Sequence, residues 1–210
     1  MSIDRAGLPF ILIAAVPAVV AVVFRAPWLA AALLILPVAI ALFFRDPDRT
    51  PPVGADLVLS PADGTIMYAG DGKPGETPPG TWRHVTVFLS PLDVHINRTP
   101  VSGTVTRIEY RPGTFRPAYH HDAYRNEQSE IWFDHAGQTV VARQVVGMMA
   151  RRVVCRLRPG ETVAAGARFG LMKFGSRMDI FVPPTATLLV AERQAVRAGE
   201  TVIARLMPGG

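Results

Sequence analysis

Cysteine is almost absent: Cys155 is the one thiol in 210 residues. That excludes an intramolecular disulfide and any metal site built from cysteines alone, and it suits a reducing compartment without requiring one. Charge is also sparse, at 19% of residues against 49% apolar. A disordered chain, a coiled coil and a highly charged nucleic-acid tail are all excluded by that balance. The scarcity is uneven. Residues 8–44 hold one ionisable side chain, Arg25, whereas the chain after residue 44 carries most of the charge. The protein therefore reads as two parts, 1–44 and 45–210. Gly and Pro are plentiful, 18 and 19 residues, so the second part should be built of short elements separated by turns.

Residues 8–24 and 26–44 are apolar or Pro throughout, and each run approaches the length needed for a hydrocarbon core of about 30 Å. Arg25, Ala26 and Pro27 make a tight turn between them, so the expectation is a membrane-anchoring helical hairpin. Pro9, Pro17 and Pro37 would kink or break its helices, and a shallow wedge is the alternative to a full crossing. Arg5 precedes the pair, Arg45 and Arg49 follow it, and one Arg lies between. This bias puts both ends, and the second domain, on the cytoplasmic side of the cell membrane.

The charged, Pro-rich stretch 45–52 ends the apolar segment. Beyond it, β-type runs are expected at 56–60, 65–69, 84–89, 103–110, 130–133, 139–146, 153–157, 168–174, 179–182, 186–191 and 201–206. Most are divided by turn residues, which favours a mainly β fold, a compact sandwich or barrel. Residues 116–128 suit an irregular loop or short helix. Gly160-Glu161-Thr162-Val163 and Gly199-Glu200-Thr201-Val202 echo one another, as do the duplicated hairpins of lipoyl-like hybrid barrels, an analogy of fold alone. Between residues 151 and 177, seven basic residues (Arg151, Arg152, Arg156, Arg158, Arg168, Lys173, Arg177) stand against one acidic residue, Glu161. Near a membrane each could add about 1 kcal/mol of attraction to anionic lipid, the plainer reading being a solvated face. Nucleic acid is not expected, because aromatics do not interleave with these charges.

Gly175-Ser176, between two apolar runs, is on spacing alone a turn. Chemically it can be more. A Ser176 hydroxyl held against the Gly175 carbonyl can attack it, converting amide to ester. Elimination then cuts the chain and leaves dehydroalanine, which hydrolyses to a pyruvoyl group, a ketone able to capture amines as Schiff bases. In a strand, Asp93, His95 and Asn97 would share one face, a set suited to acid–base work; the alternative is a surface His beside an Asp. Ser60-Pro61-Ala62-Asp63-Gly64 reads as a tight turn or as a site where Asp63 orients a histidine. Asn126-Glu127 could bind a polar substrate group or be solvated loop. His120 and His121 are adjacent and lack a spaced third ligand, so no metal is expected. His84, within a β-type run, reads as structural.

The residues Phe43-Phe44-Arg45-Asp46-Pro47, Ser60-Pro61-Ala62-Asp63-Gly64, Asp93-Val94-His95-Ile96-Asn97-Arg98 with Pro100, and Phe174-Gly175-Ser176-Arg177-Met178-Asp179 occur in this order. Together they make the chain similar to short-chain bacterial phosphatidylserine decarboxylases, almost end to end. The resemblance implies a proenzyme that cuts itself between Gly175 and Ser176. Its fragments, 1–175 and 176–210, would stay together as an α/β heterodimer that could pair again. The cofactor would be the pyruvoyl group made from Ser176, with neither metal nor pyridoxal phosphate. The reaction would be phosphatidylserine to phosphatidylethanolamine and carbon dioxide in phospholipid biosynthesis. Ser176, His95 and Asp63 would be catalytic, Asp93 and Asn97 supporting, and Asn126 and Arg177 substrate-binding. Longer members carry a second histidine three residues after the first; here that position is Arg98, leaving His95, His120 or His121 as the processing base. Two other readings are a membrane-tethered lipoyl-like adaptor without self-cleavage, and the same chemistry on an archaeal-type ether phosphoserine lipid.

Overall fold

The computed structural model describes residues 2–148, 153–172 and 176–207, without the side chain of His121. The chain divides into two compact units at Asp48/Arg49.

In the first unit, β1 (Ser2–Ile3) pairs with β2 (Arg45–Asp46), and Asp4 caps a 3-10 turn by accepting from the Ala6 amide at 2.9 Å. Helix α1 (Leu8–Val23) continues through Pro17. With the preceding turn, Arg5–Val23 has a mean hydropathy of 2.5, long and apolar enough by length and composition to cross a membrane. The chain reverses at Arg25, in the left-handed region at φ 55°. The second apolar run is two helices, α2 (Pro27–Leu33) and α3 (Ile35–Phe43). Pro37 has no N–H for the residue 33 carbonyl and its ring crowds that carbonyl, so the helix breaks at Leu34. Ala18, Ala21 and Ala30 are buried in this unit, while Ile13, Val23, Phe24 and Trp28 are exposed.

The second unit is mainly β, as the turn-divided runs predict. Its strands are β3 (Leu57–Leu59), β4 (Gly64–Asp71), β5 (Arg83–Leu89), β6 (Ile96–Arg98), β7 (Gly103–Arg111), β8 (Gln128–His135), β9 (Gln138–Val145), β10 (Val153–Cys155), β11 (Thr162–Val163), β12 (Arg168–Met172), β13 (Ser176–Val182), β14 (Thr187–Leu188), β15 (Ala195–Val196) and β16 (Val202–Arg205). An eight-stranded sheet, curled into a half-barrel, runs in the order β11-β7-β8-β9-β13-β5-β4-β15. Two three-stranded sheets, β10-β12-β6 and β14-β16-β3, accompany it. The short helix expected within 116–128 is a 3-10 helix at His121–Arg125.

Period-two alternation sorts the two faces of the large sheet. Val85, Val87, Leu89, Ile131, Phe133, Met178, Ile180 and Val182 are buried together on the inner face, against Val58, Phe169, Met172 and Ile203. The sequence echo proves to be a repeated turn and not a repeated sheet. Glu161 N donates to Arg158 O and Glu200 N to Arg197 O, both at 3.2 Å, around Gly160 and Gly199 at φ 85° and 73°. The strands that follow, β11 and β16, belong to different sheets.

Gly64 opens β4 at φ 151°, with Phe88 O where a Cβ would stand. Gly75, at φ 83°, has nothing within 4 Å of that position. We expect Gly64→Ala to lower stability by at least about 2 kcal/mol and Gly75→Ala by only about 1 kcal/mol. Denaturant midpoints measure both, and equal losses would contradict the steric account.

Candidate active site

Two covalent routes leave the large sheet at one level and meet again in the small one. Ser176, the first residue of β13, is paired with Leu89, the last of β5. From Leu89 the chain turns through Ser90–Asp93 to His95 and β6; from Ser176 it runs backward through three residues to Met172, the end of β12. β6 and β12 are partners, Ile96 to Leu171 and Asn97 to Gly170, and the Met172 amide donates to the His95 carbonyl at 3.2 Å. Met172 and Ser176 can be at most about 15 Å apart. The start of β13 and the His95 strand are therefore held close by pairing at both ends. Gly175, with Lys173 and Phe174, lies outside the described residues.

The side chains here form a polar island inside the apolar core. Ser176, His95, Asn97 and Gln144 are all 0% exposed. Gln144 is register-paired with Met178, so it shares the inner face of the sheet with Ser176. Its Nε2 donates to Asn97 Oδ1 at 2.8 Å, passing over Gly170, where a Cβ would lie 2.8 Å from that nitrogen. Asn97 Nδ2 and Gln144 Oε1 are buried with no hydrogen-bond partner among the described residues. His95 Nδ1 lies 2.8 Å from the Asp93 carbonyl. A carbonyl can only accept, so Nδ1 carries the hydrogen, and Nε2 is the basic nitrogen of the neutral ring.

Asp93, His95 and Asn97 do not form one strand face. β6 begins only at Ile96, and Asp93 sits in a turn where its Oδ2 accepts from the Ser90 amide at 2.7 Å. Pro91 removes a ladder donor and Asp93 offers its own side chain to the backbone; together they favour a turn over a strand. Asp93 thus orients His95 through its main chain.

Asp63 is fixed from two sides, Oδ1 accepting from Ala198 N at 2.7 Å and Oδ2 from Arg49 Nη2 at 2.7 Å. Burial raises its pKa against the pull of the Ala198 amide and Arg49, and the Asp93 charge pushes it further up. The same turn grips β6, since Pro61 O accepts from Arg98 N at 2.9 Å. Arg98 itself is buried, donating through Nη1 to Gly166 O at 3.0 Å.

The outer face of β13 carries a second cluster, which joins His84, expected as structural, to Arg177, expected to bind substrate. Arg177 grips Asp179 two residues on, Nε to Oδ1 at 2.8 Å and Nη2 to Oδ2 at 2.9 Å. Thr86 Oγ1 donates to the same Oδ1 at 2.8 Å, with His84 Nε2 3.3 Å from it. Burial alone would raise the Asp179 pKa, but Arg177 and His84 overwhelm it and hold the carboxyl far below the usual range. Beside it, Arg143 pairs with the fully buried Glu130 at 2.7 Å. The readable signal was Arg-x-Asp within a strand, which puts both side chains on one face.

Asn126 is a loop clamp. Its Oδ1 accepts from Thr114 Oγ1 and Arg116 N, and its Nδ2 donates to Arg116 O and Val146 O. Of the seven basic residues, Arg156, Arg158 and Arg168 are exposed and Arg177 is buried; Arg151, Arg152 and Lys173 lie outside the described residues. Among the described residues no group of three or more His, Cys, Asp and Glu side chains could hold a metal ion.

A buried imidazole, two amides and a serine inside an otherwise apolar half-barrel define a β domain with an internal polar site, the class of place where catalytic groups gather. The family model for phosphatidylserine decarboxylase matches residues 38–204. The chain belongs to that family. It is 46% identical over 168 residues to a phosphatidylserine decarboxylase proenzyme of Salinibacter ruber, covering 78% of this chain and 74% of the relative. Proteins of the same name from Pelodictyon phaeoclathratiforme and Granulibacter bethesdensis are 46% and 47% identical, over 78% and 79% of this chain and 77% and 70% of theirs.

Removing the Asp179 charge would strand the buried Arg177. Asp179→Asn should cost about 3–5 kcal/mol at neutral pH. Because the native carboxyl titrates below its ordinary 3.8, its contribution is complete above about pH 4 and fades as pH falls below that. Denaturation of both proteins across pH should show the gap narrowing in acid; a pH-independent gap would contradict the ion-pair assignment.

Proposed function

We propose that the chain is a self-processing decarboxylase that converts phosphatidylserine to phosphatidylethanolamine and carbon dioxide. The observation that carries this reading is the burial of Ser176 at the start of β13, on the inner face with Gln144, whose amide reaches the buried Asn97 beside the buried His95. Family membership supplies the substrate and the word proenzyme, both printed in the names of the relatives.

Processing would begin with Ser176 Oγ attacking the Gly175 carbonyl carbon. The C–N bond breaks, an ester forms, and the Ser176 nitrogen becomes an amine. A base then takes the Ser176 Cα proton, and the Gly175 carboxylate leaves from Cβ. One water replaces the nitrogen, one ammonia departs, and a pyruvoyl ketone remains on residue 176. The product fits the space, since its three carbons are those of the serine and it adds no volume in a fully buried position. Such a ketone, once it has captured the amine of a serine headgroup, supplies the electron sink that lets a carboxylate leave as carbon dioxide.

This chain's residues do the rest. His95, with Nδ1–H tied to the Asp93 carbonyl, presents Nε2 as the proton-transfer atom, taking the Cα proton in processing and returning one to substrate carbon in turnover. Asn97 Nδ2, a buried donor in need of an acceptor, would hold the Gly175 oxygen as it gains charge, with Gln144 fixing the amide through Oδ1. Asp63 is a positioning residue: anchored by Arg49 and Ala198, it holds the turn that grips β6 at Arg98. The apolar N-terminal unit would keep the site at the cell membrane, cytoplasmic by the positive-inside balance, where Arg156, Arg158 and Arg168 could meet anionic lipid.

Ser176→Ala should remain one full-length chain without activity, while the wild type runs as 1–175 and 176–210 on a denaturing gel. A wild type that stays whole and still decarboxylates would refute the proposal. His95→Gln should stay largely unprocessed, and any cleaved fraction should show kcat lowered at least about 100-fold; a variant that cleaves fully and keeps wild-type kcat would remove His95 from proton transfer.

A further inference from the structure

Arg49 stands shortly after the apolar segment in sequence, where a basic side chain would ordinarily stay in water, yet its side chain is only 9% exposed. Two carboxylates from distant parts of the chain explain the burial. Arg49 Nη2 donates to Asp63 Oδ2 at 2.7 Å, and Nη1 donates to Glu200 Oε2 at 2.9 Å. Thr50 N, next along, donates to Glu200 Oε1 at 3.4 Å. The rigid fork of a guanidinium can serve two acceptors at once in fixed directions; a single ammonium cannot.

The two carboxylates lie in turns that are themselves joined. Ser60 N donates to Thr201 O and Gly199 N to Ser60 O, each at 2.8 Å, and Ala198 N donates to Asp63 Oδ1 at 2.7 Å. Arg98, the last residue of β6, is held between these turns. Its amide donates to Pro61 O at 2.9 Å, and its Cδ lies 2.9 Å from where a Cβ on Gly199 would stand. β6 carries Asn97 and directly follows His95 by way of Ile96. From one point, then, Arg49 braces both turns that bracket the end of the strand bearing the acid–base groups. The joint also crosses the proposed cut, since Arg49, Asp63 and Arg98 belong to 1–175 while Ala198 and Glu200 belong to 176–210.

We propose that Arg49 is a positioning residue for the reaction, an ionic joint that fixes the C-terminal piece against the turn gripping β6 and so keeps His95 and Asn97 in place against residue 176. This deepens the self-processing reading and rests on it. Removing the cation has a definite sign. Burial raises the Asp63 carboxyl and Arg49 pulls against it, so without Arg49 the carboxyl takes up its proton at higher pH. The charged groups around Asp63 are Arg49 from the strap, Asp93 from the turn before β6, Arg98 at the end of β6, and Glu200 with Arg197 from the turn before β16.

The test follows self-cleavage of the full chain on a denaturing gel after cell-free synthesis in detergent, and then the pH profile of turnover in the cleaved fraction. Arg49→Gln should cleave at least about tenfold more slowly, with kcat lowered at least about tenfold and KM changed by no more than about twofold. The acid limb of its kcat profile should lie at higher pH than in the wild type, a shift that a general loss of stability would not produce. Arg49→Lys keeps the cation without the fork, and should restore the limb while recovering only part of the rate. Glu200→Gln, at a side chain 30% exposed, leaves Asp63 its cation and should slow cleavage without moving the limb; it decides the matter should Arg49→Gln fold poorly. Wild-type rates in either Arg49→Gln or Glu200→Gln, or an Arg49→Gln loss with the limb unmoved, would overturn the joint. A wild type that neither cleaves nor decarboxylates would defeat the earlier reading and this one with it, whereas a normal wild type beside an unaffected Arg49→Gln defeats the joint alone.

Discussion

The double pairing of β13 is the constraint on which everything else at the site depends. Its residues are laddered to β5 on one side and to β9 on the other. A strand gripped along both edges cannot slip by one residue without turning every side chain to the wrong face. Ser176 is thereby pinned opposite Leu89 and kept on the inner face with Met178 and Ile180, while the β6–β12 pairing brings His95 to Met172. Ser176 is held by its pairing with Leu89, and the strand that follows it by ladders on both edges. The same ladders would keep the C-terminal piece in place after a cut, because its first strand is an interior strand of the sheet.

One strand divides two kinds of chemistry. Inward, Ser176, His95, Asn97 and Gln144 sit in apolar surroundings, where the unpartnered Asn97 Nδ2 and Gln144 Oε1 are costly to bury. Outward, Arg177 and Asp179 form a buried pair braced by Thr86 and His84. Such a pair adds little net stability compared with apolar packing, but breaking it is expensive, so it acts as a register lock. The lock begins one residue after Ser176. Asp63 does similar work farther away: its carboxylate binds Arg49 and Ala198 and so steadies the turn whose Pro61 carbonyl holds β6.

Much of this was legible in the sequence. The β-type runs at 84–89, 103–110 and 139–146 became β5, β7 and β9 nearly residue for residue, because short runs rich in β-branched residues between turn residues leave few other options. The change of composition at 45–52 marked where the apolar segment ends. What was not legible came from long-range pairing. Gln144 sits in an ordinary strand run, and nothing local reveals that its amide crosses Gly170 to reach Asn97. The Asp93 turn was masked by a pattern that fits a strand equally well, until Pro91 and the Ser90 amide decided it. His84 looked structural since its partners, Thr86 and Asp179, lie on two strands far apart in sequence.

The central claim is covalent: residue 176 becomes a ketone. The most direct measurement is the intact mass of the C-terminal piece from a catalytically active preparation. The account predicts a fragment beginning at residue 176 that is lighter than the encoded 176–210 peptide by one ammonia. A fragment that retains its serine and free amine, in a sample that still releases carbon dioxide from phosphatidylserine, would contradict it.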